Sequence, residues 1–319
     1  MLLAHDQTVG GMHAVVTGAT GFLGSALVRK LLAEGGGVAA LVRPGSPNLA
    51  RLPSHPRLRL VECDLHALPT CSGPLADFAP EVFYHLGWIG VGNAHRYDLE
   101  QYDNPRQVID AIKLAAQVGC HRWVGTGSQA EYGPANRRLD EQAPLRPTTL
   151  YGAAKVASWA LGQILGERLG LRMVWARVFS TYGPGDAAGW MLTDVIGTLL
   201  RGGCPALTQG VQLWDYLHVD DAAEALYRLG AAPCAEGVYN LGSGQARTIR
   251  SIVETVRDLI DPTLPLGFGE VPYRPDQVMH LEADVTRLRR DVGWEPRVDL
   301  ETGLADLIAS LRAPSGERP

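Results

Sequence analysis

Between a short apolar run, His13 to Thr17, and a stretch of helical spacing lies Thr17-Gly18-Ala19-Thr20-Gly21-Phe22-Leu23-Gly24. Few sequence features constrain a fold as tightly. Glycines at 18, 21 and 24 let the backbone turn sharply and approach a pyrophosphate, whose charge is stabilised by the free N–H groups at the start of the helix that follows. Apolar residues at Phe22, Leu23, Ala26, Leu27, Leu31 and Leu32 give one buried face and predict that helix over Phe22 to Glu34. Strand, glycine turn and helix in this order open a dinucleotide-binding sheet.

The alternation continues. Further apolar strands are expected at Val38 to Val42, Leu58 to Glu62, Val82 to Leu86, Trp123 to Thr126 and Met173 to Phe179. Amphipathic helices are expected at Leu99 to Val118 and Leu150 to Leu169. This pattern predicts an α/β chain of Rossmann type, a doubly wound parallel sheet covered on both faces. After Phe179 the alternation weakens and Pro and Gly accumulate, in Tyr182-Gly183-Pro184-Gly185 and Gly202-Gly203-Cys204-Pro205. Helical spacing returns at Val219 to Leu229, a strand at Val238 to Leu241, a helix capped by Thr248 and a tail helix near Leu300 to Leu311. A smaller α/β substrate-binding lobe assembled from separate segments is therefore expected. The boundaries read as 12–180 plus 215–245 for the dinucleotide-binding domain and 181–214 plus 246–314 for the lobe.

Composition narrows the class of partner. Over 319 residues the chain is 46% hydrophobic and 20% charged, enough to bury a sizeable core. Lys and Arg number 29 against 34 Asp and Glu, with no dense basic cluster, which argues against nucleic acid. Nine histidines show no metal-ligand spacing, so no metal site is expected. Five cysteines, Cys63, Cys71, Cys120, Cys204 and Cys234, form no C-x-x-C pair, and their odd number cannot close completely into disulfides, which reads as a reducing compartment. With no signal-like start over Met1 to Gly11 and no apolar run of spanning length, a cytoplasmic protein without membrane partner is expected. Met1 to Gly11 and Pro314 to Pro319 are expected to be frayed ends.

Tyr151-Gly152-Ala153-Ala154-Lys155 places a phenol and an ammonium one helical turn apart on a common face. A free phenol titrates near about 10, and a neighbouring cation favours its ionised form. Ser128 precedes this pair, at the end of an apolar strand in Gly125-Thr126-Gly127-Ser128-Gln129-Ala130-Glu131-Tyr132-Gly133. Together with the G-x-x-G-x-x-G turn, these motifs resemble the short-chain dehydrogenase/reductase superfamily. Tyr84-His85-Leu86, Arg177-Val178-Phe179-Ser180-Thr181-Tyr182-Gly183-Pro184 and Asp215-Tyr216-Leu217-His218-Val219-Asp220-Asp221 are similar to the extended branch that modifies nucleotide sugars. Tyr239-Asn240-Leu241-Gly242-Ser243-Gly244, Tyr273-Arg274-Pro275 and Gly293-Trp294-Glu295-Pro296 continue the likeness, from about His13 to Leu311.

The resemblance implies catalysis by Ser128, Tyr151 and Lys155: the serine polarises the substrate oxygen, the tyrosine moves its proton, and the lysine tunes the phenol and holds the nicotinamide ribose. It implies a cofactor site formed by Gly18, Thr20, Gly21, Phe22, Leu23, Gly24, Asp64, Leu65, Leu86, Gly87, Thr126, Tyr151, Lys155 and Phe179. His85, Phe179 and Tyr239 also suit a plain core role, and Asp64 a loop cap. Val42 ends the second strand, where an acidic residue would bind the ribose hydroxyls of NAD, and Arg43 follows it. Arg43 is either a partner for the 2′-phosphate of NADP or a solvated strand-end arginine. NADP(H) is the preferred reading, with NAD(H) possible.

The substrate side implied by the resemblance comprises Trp88, Ser128, Gln129, Tyr151, Ser180, Trp214 and Arg274. Several of these depart from the family pattern. The 4,6-dehydratases carry Asp-Glu after the catalytic hydroxyl, and Gln129-Ala130 cannot serve as that acid and base. Trp214 replaces an arginine and Ser180 an asparagine, leaving Arg274 as the remaining cation for a nucleotide diphosphate. Trp88 either bounds the sugar pocket or packs as a lid. Taken together, these residues look most like NDP-6-deoxyhexose 4-ketoreductases, with an NDP-sugar 4-epimerase holding NAD, or a non-catalytic NADP-sensing protein, as alternatives. A homodimer built on the two long helices is also implied.

Overall fold

The computed structural model describes residues 11–275 and 277–312. Strand β1 (Ala14–Thr17) enters α1 (Phe22–Ala33), and β2 (Val38–Val42), β3 (Leu58–Glu62) and the short α2 (Ser72–Leu75) follow. Next come β4 (Val82–His85), α3 (Asn104–Gln117), β5 (Arg122–Ser128), β6 (Arg137–Leu139), α4 (Leu150–Arg168) and β7 (Arg172–Val178). The chain then forms β8 (Ser180–Tyr182), α5 (Met191–Leu200), β9 (Ala206–Leu207), β10 (Leu213–His218), α6 (Val219–Ala231) and β11 (Gly237–Leu241). It continues through β12 (Ala246–Thr248), α7 (Ile249–Ile260), β13 (Gly267–Phe268), β14 (His280–Ala283), α8 (Thr286–Val292) and α9 (Leu300–Arg312).

Seven of these strands make one sheet in the order β11-β7-β5-β4-β1-β2-β3, every neighbouring pair parallel. Strands β1, β2 and β4 are buried at every position, as continuous apolar runs between two helical layers should be. The expected Rossmann-type α/β sheet is thus present. Its order reverses at β1, which lies between β2 and β4, and in such sheets the crevice beyond the carboxyl ends of the strands at the reversal is where ligands bind.

A second sheet, β12-β10-β14-β6 with β8 beside β10, is mixed: β12 runs antiparallel to β10, and the other pairs are parallel. Its neighbours α5, α7 and α9 bury a separate apolar cluster that includes Leu192, Ile196, Ile252, Val256, Leu304 and Ile308. Among the described residues no helix is long and apolar enough to cross a membrane.

Two expectations are corrected. The helix predicted over Leu99 to Val118 is split into a 3₁₀ turn, Leu99–Asp103, and α3. Pro105 at the start of α3 lacks the N–H that would continue a helix from the preceding turn. The cysteines do not all remain thiols: Cys63 and Cys71 are joined in a disulfide, while Cys120, Cys204 and Cys234 are free. The 3₁₀ turn Leu65–Thr70 returns Cys71 to the end of β3, a closure that no cysteine spacing motif announces. The expected frayed ends, Met1 to Gly11 and Pro314 to Pro319, lie outside the described residues except for Gly11.

Candidate active site

Backbone closure shapes the first wall of the crevice. Gly18 adopts φ +67°, which a side chain disfavours, and a Cβ there would stand 2.6 Å from the Gly87 nitrogen. A Cβ on Gly24 would stand 2.0 Å from the Gly18 carbonyl oxygen. Glycine thus lets the backbones close where β1 and β4 end, and the Gly87 N–H donates to Thr17 Oγ1 at 3.1 Å. Leu65 packs on the other side of Gly87, with Leu86 beside it. Asp64 caps the 3₁₀ turn by accepting from the His66 N–H at 3.0 Å, and these bonds hold its carboxyl below the usual range. No side chain caps the first turn of α1, where Phe22 and Leu23 begin the helix. Arg43 is exposed at the end of β2, and the Thr20 and Ser46 hydroxyls lie 3.2 Å apart beneath that edge.

Tyr151 and Ser128 come together because α4 starts close to the end of β5. Thr149 caps α4 by accepting from the Gly152 N–H at 3.0 Å, and a Cβ on Gly152 would stand 2.5 Å from the Ala130 carbonyl oxygen. Ser128 ends β5, and its hydroxyl accepts from the Ala130 N–H at 3.2 Å on the side of the buried Tyr151 phenol, whose pKa it helps to lower. Burial pushes that phenol above its ordinary value, while Ser128 and the Arg96 guanidinium pull it back. Lys155 Nζ donates to the Thr126 carbonyl at 2.7 Å and lies 3.5 Å from the centre of the Trp88 ring and 5.7 Å from that of Tyr151. Burial lowers the Lys155 pKa to about 7.

Other residues hold this group in place without having been singled out in the sequence. Glu131 is fully buried and accepts from the Ser128 N–H at 2.9 Å, from Trp175 Nε1 at 2.9 Å and from Arg177 Nε at 2.7 Å. Its readable signal is Ser-x-x-Glu, the spacing of a capping box, which Ser128 and Glu131 form. Gln101, also buried, accepts from Trp88 Nε1 at 2.9 Å and donates to the Gly90 carbonyl at 2.7 Å. The Arg96 carbonyl accepts from the Tyr151 N–H at 3.0 Å. This last contact has no sequence signal, because it joins a loop to a helix across tens of residues.

The model of the NAD-dependent epimerase/dehydratase family matches residues 14–242. The chain belongs to that family. A dTDP-glucose 4,6-dehydratase of Streptomyces griseus is 28% identical over 93% of this chain and 93% of its own length. A UDP-glucose 4-epimerase of Mycolicibacterium smegmatis is 28% identical over 95% of this chain and 100% of its own. Among solved structures, MoeE5 in complex with UDP-glucuronic acid and NAD superposes with a TM-score of 0.79 at 28% identity, covering 93% and 98% of the two chains.

Within this family chain, several motif residues are structural. Asp215 is fully buried and accepts from the Ser243 N–H at 2.7 Å, the Gly244 N–H at 3.0 Å and the Ala283 N–H at 3.0 Å, tying β10 to β14. His85 and Tyr239 lie in the core, and burial lowers the His85 pKa to about 3. Phe179 packs on Tyr132 with ring centres 6.3 Å apart. Two departures from the family pattern meet: Trp214 Nε1 donates to the Ser180 hydroxyl at 2.7 Å. Gln129, half-buried, follows Ser128 directly. Trp88 meets the Tyr151 ring edge-on at 5.8 Å, so its indole covers both Tyr151 and Lys155. Arg274 is on the exposed segment beside Tyr273, whose hydroxyl bonds Gln212 Oε1 at 3.1 Å.

Proposed function

We propose that this chain is an NADPH-dependent reductase that converts an NDP-4-keto-6-deoxyhexose to the 4-hydroxy sugar nucleotide. The observation that carries the reading is the end of β2, where Val42 stands in place of a carboxylate and exposed Arg43 follows it. The glycine contacts and uncapped first turn of α1 fit a dinucleotide pyrophosphate. Gly18 to Gly24 would hold that group, Asp64 and Leu65 the adenine end, Arg43 the 2′-phosphate, and Lys155 the ribose beside Thr126. When bound, the nicotinamide supplies the hydride. Ser128 orients the substrate oxygen, and Tyr151 gives that oxygen its proton. Gln129 and Ala130 offer no acid or base for elimination, which supports reduction over dehydration.

The second reading is a 4-epimerase with tightly held NAD, favoured by the Mycolicibacterium relative and by the NAD in the MoeE5 complex. In either reading the sugar nucleotide would lie between the dinucleotide-binding domain, 12–180 plus 215–245, and the lobe, 181–214 plus 246–314, near Trp88, Ser180, Trp214 and Arg274. A homodimer packed on α3 and α4 would cover the exposed Leu99, Tyr102, Leu161 and Ile164.

The test is a panel of dTDP-, CDP-, GDP- and UDP-linked 4-keto-6-deoxy sugars with NADPH, followed at the nicotinamide absorbance. One NADPH should be consumed per sugar. The preference for NADPH over NADH should be roughly 10–150-fold, the range for one charge-assisted bond, and Arg43→Asp should reverse it. Protein that purifies with bound NAD, ignores NADPH and interconverts two 4-hydroxy sugar nucleotides would establish the epimerase instead.

A further inference from the structure

Arg96 belongs to the loop between β4 and α3 and to neither sheet. We propose that Arg96 is a positioning residue for proton transfer at Tyr151, supplying the permanent positive charge that faces its phenol. The inference rests on the reading of Tyr151 as the proton donor.

The guanidinium carbon of Arg96 lies 5.2 Å from the centre of the Tyr151 ring. Its place is fixed from two sides. The Arg96 carbonyl accepts the otherwise orphaned Tyr151 N–H at the start of α4, and Gln101 closes the loop by donating to the Gly90 and His95 carbonyls at 2.7 and 3.1 Å. Arg96 Nε is buried and has no hydrogen-bond partner. The nearby carboxylate of Asp98 is taken by His95 at 2.7 Å, so it does not pair with that nitrogen.

Two other charges face Tyr151. Glu131 is negative and opposes ionisation of the phenol, although Arg177 holds it at 2.7 Å. Lys155 is 5.7 Å from the Tyr151 ring centre, and burial lowers its pKa to about 7, so its share of the positive charge there varies with pH near neutrality. A guanidinium keeps its charge across that range. A phenol raised by burial needs such a fixed charge to remain a usable acid.

The experiment titrates Tyr151 in the substrate-free protein, as the phenolate absorbance of each protein minus that of its Tyr151→Phe counterpart. Arg96→Gln should move the midpoint to higher pH by about one unit, and Arg96→Lys should leave it near wild type. The alkaline limb of kcat for NADPH-dependent reduction should move in the same direction, with KM unchanged. Both variants keep the backbone carbonyl that caps α4. A merely structural role would lower the melting temperature without moving the phenol, and an unmoved midpoint in Arg96→Gln overturns the proposal. Equal shifts in Arg96→Gln and Arg96→Lys overturn it too. Full turnover by Tyr151→Phe would instead remove the proton-donor reading, an outcome the substrate-free titration does not depend on.

Discussion

At the end of β1 the crevice is shaped by backbone against backbone, and at the start of β10 by side chain against side chain. Gly24 lies so close to the Gly18 carbonyl that no other residue fits. At Trp214 the neighbouring contact is one indole N–H on one serine hydroxyl. A backbone contact admits a single residue type, so its pattern is conspicuous in a sequence. A side-chain pair can be exchanged for another pair of similar shape, and here two departures from the family pattern satisfy each other. The wall that would hold the common part of the ligand is rigid in sequence, and the wall that would choose among sugars is free to vary.

The contrast can be broken most directly at Gly24. Gly24→Ala should strain α1 by about 1–3 kcal/mol, lower the melting temperature and weaken cofactor binding by roughly 5–150-fold, as read by calorimetric titration.

Lys155, buried between Thr126 and Trp88, gives a sharper pH signature. Its folded pKa of about 7 lies below the 10.5 of an exposed lysine. Between those values the unfolded chain holds a proton that the folded chain has released, so cofactor-free protein gains stability as pH rises from 7 toward 10.5. Relative to Lys155→Met, the gain should reach at most about 1.4 kcal/mol per pH unit in denaturant melts at pH values within that window. Parallel curves for the two proteins would mean that the ammonium is better solvated than its burial implies.

The smallest effect is expected at Trp214. Trp214→Phe removes the donor to Ser180 but keeps the aromatic bulk, costing about 0.5–1.5 kcal/mol and raising KM for the sugar nucleotide by roughly 2–12-fold. A loss as large as that of Gly24→Ala would erase the distinction between the walls.

Much of this molecule could be read before its structure. The glycine turn, the continuous apolar strands and the helical spacing of α1 and α4 are local patterns, and each follows from a period of 2.0 or 3.6 residues or from a backbone that excludes side chains. Ser128 and Tyr151 were legible as a pair because each sits at the end or start of such an element. The break before α3 was missed although Pro105 marks it, since the apolar spacing runs on across the proline.

Sequence alone determined the doubly wound parallel sheet and the glycine turn that follows β1. Only the tertiary structure decided which charges face the Tyr151 phenol, where the Lys155 ammonium points, that Glu131 carries Ser128, that Trp214 finds Ser180 and that Cys63 finds Cys71. The physical reason is distance along the chain. Secondary structure repeats within a few residues and leaves a period, whereas a hydrogen bond or a Coulomb contact between Arg96 and Tyr151 depends on where two elements dock, and docking leaves no local mark.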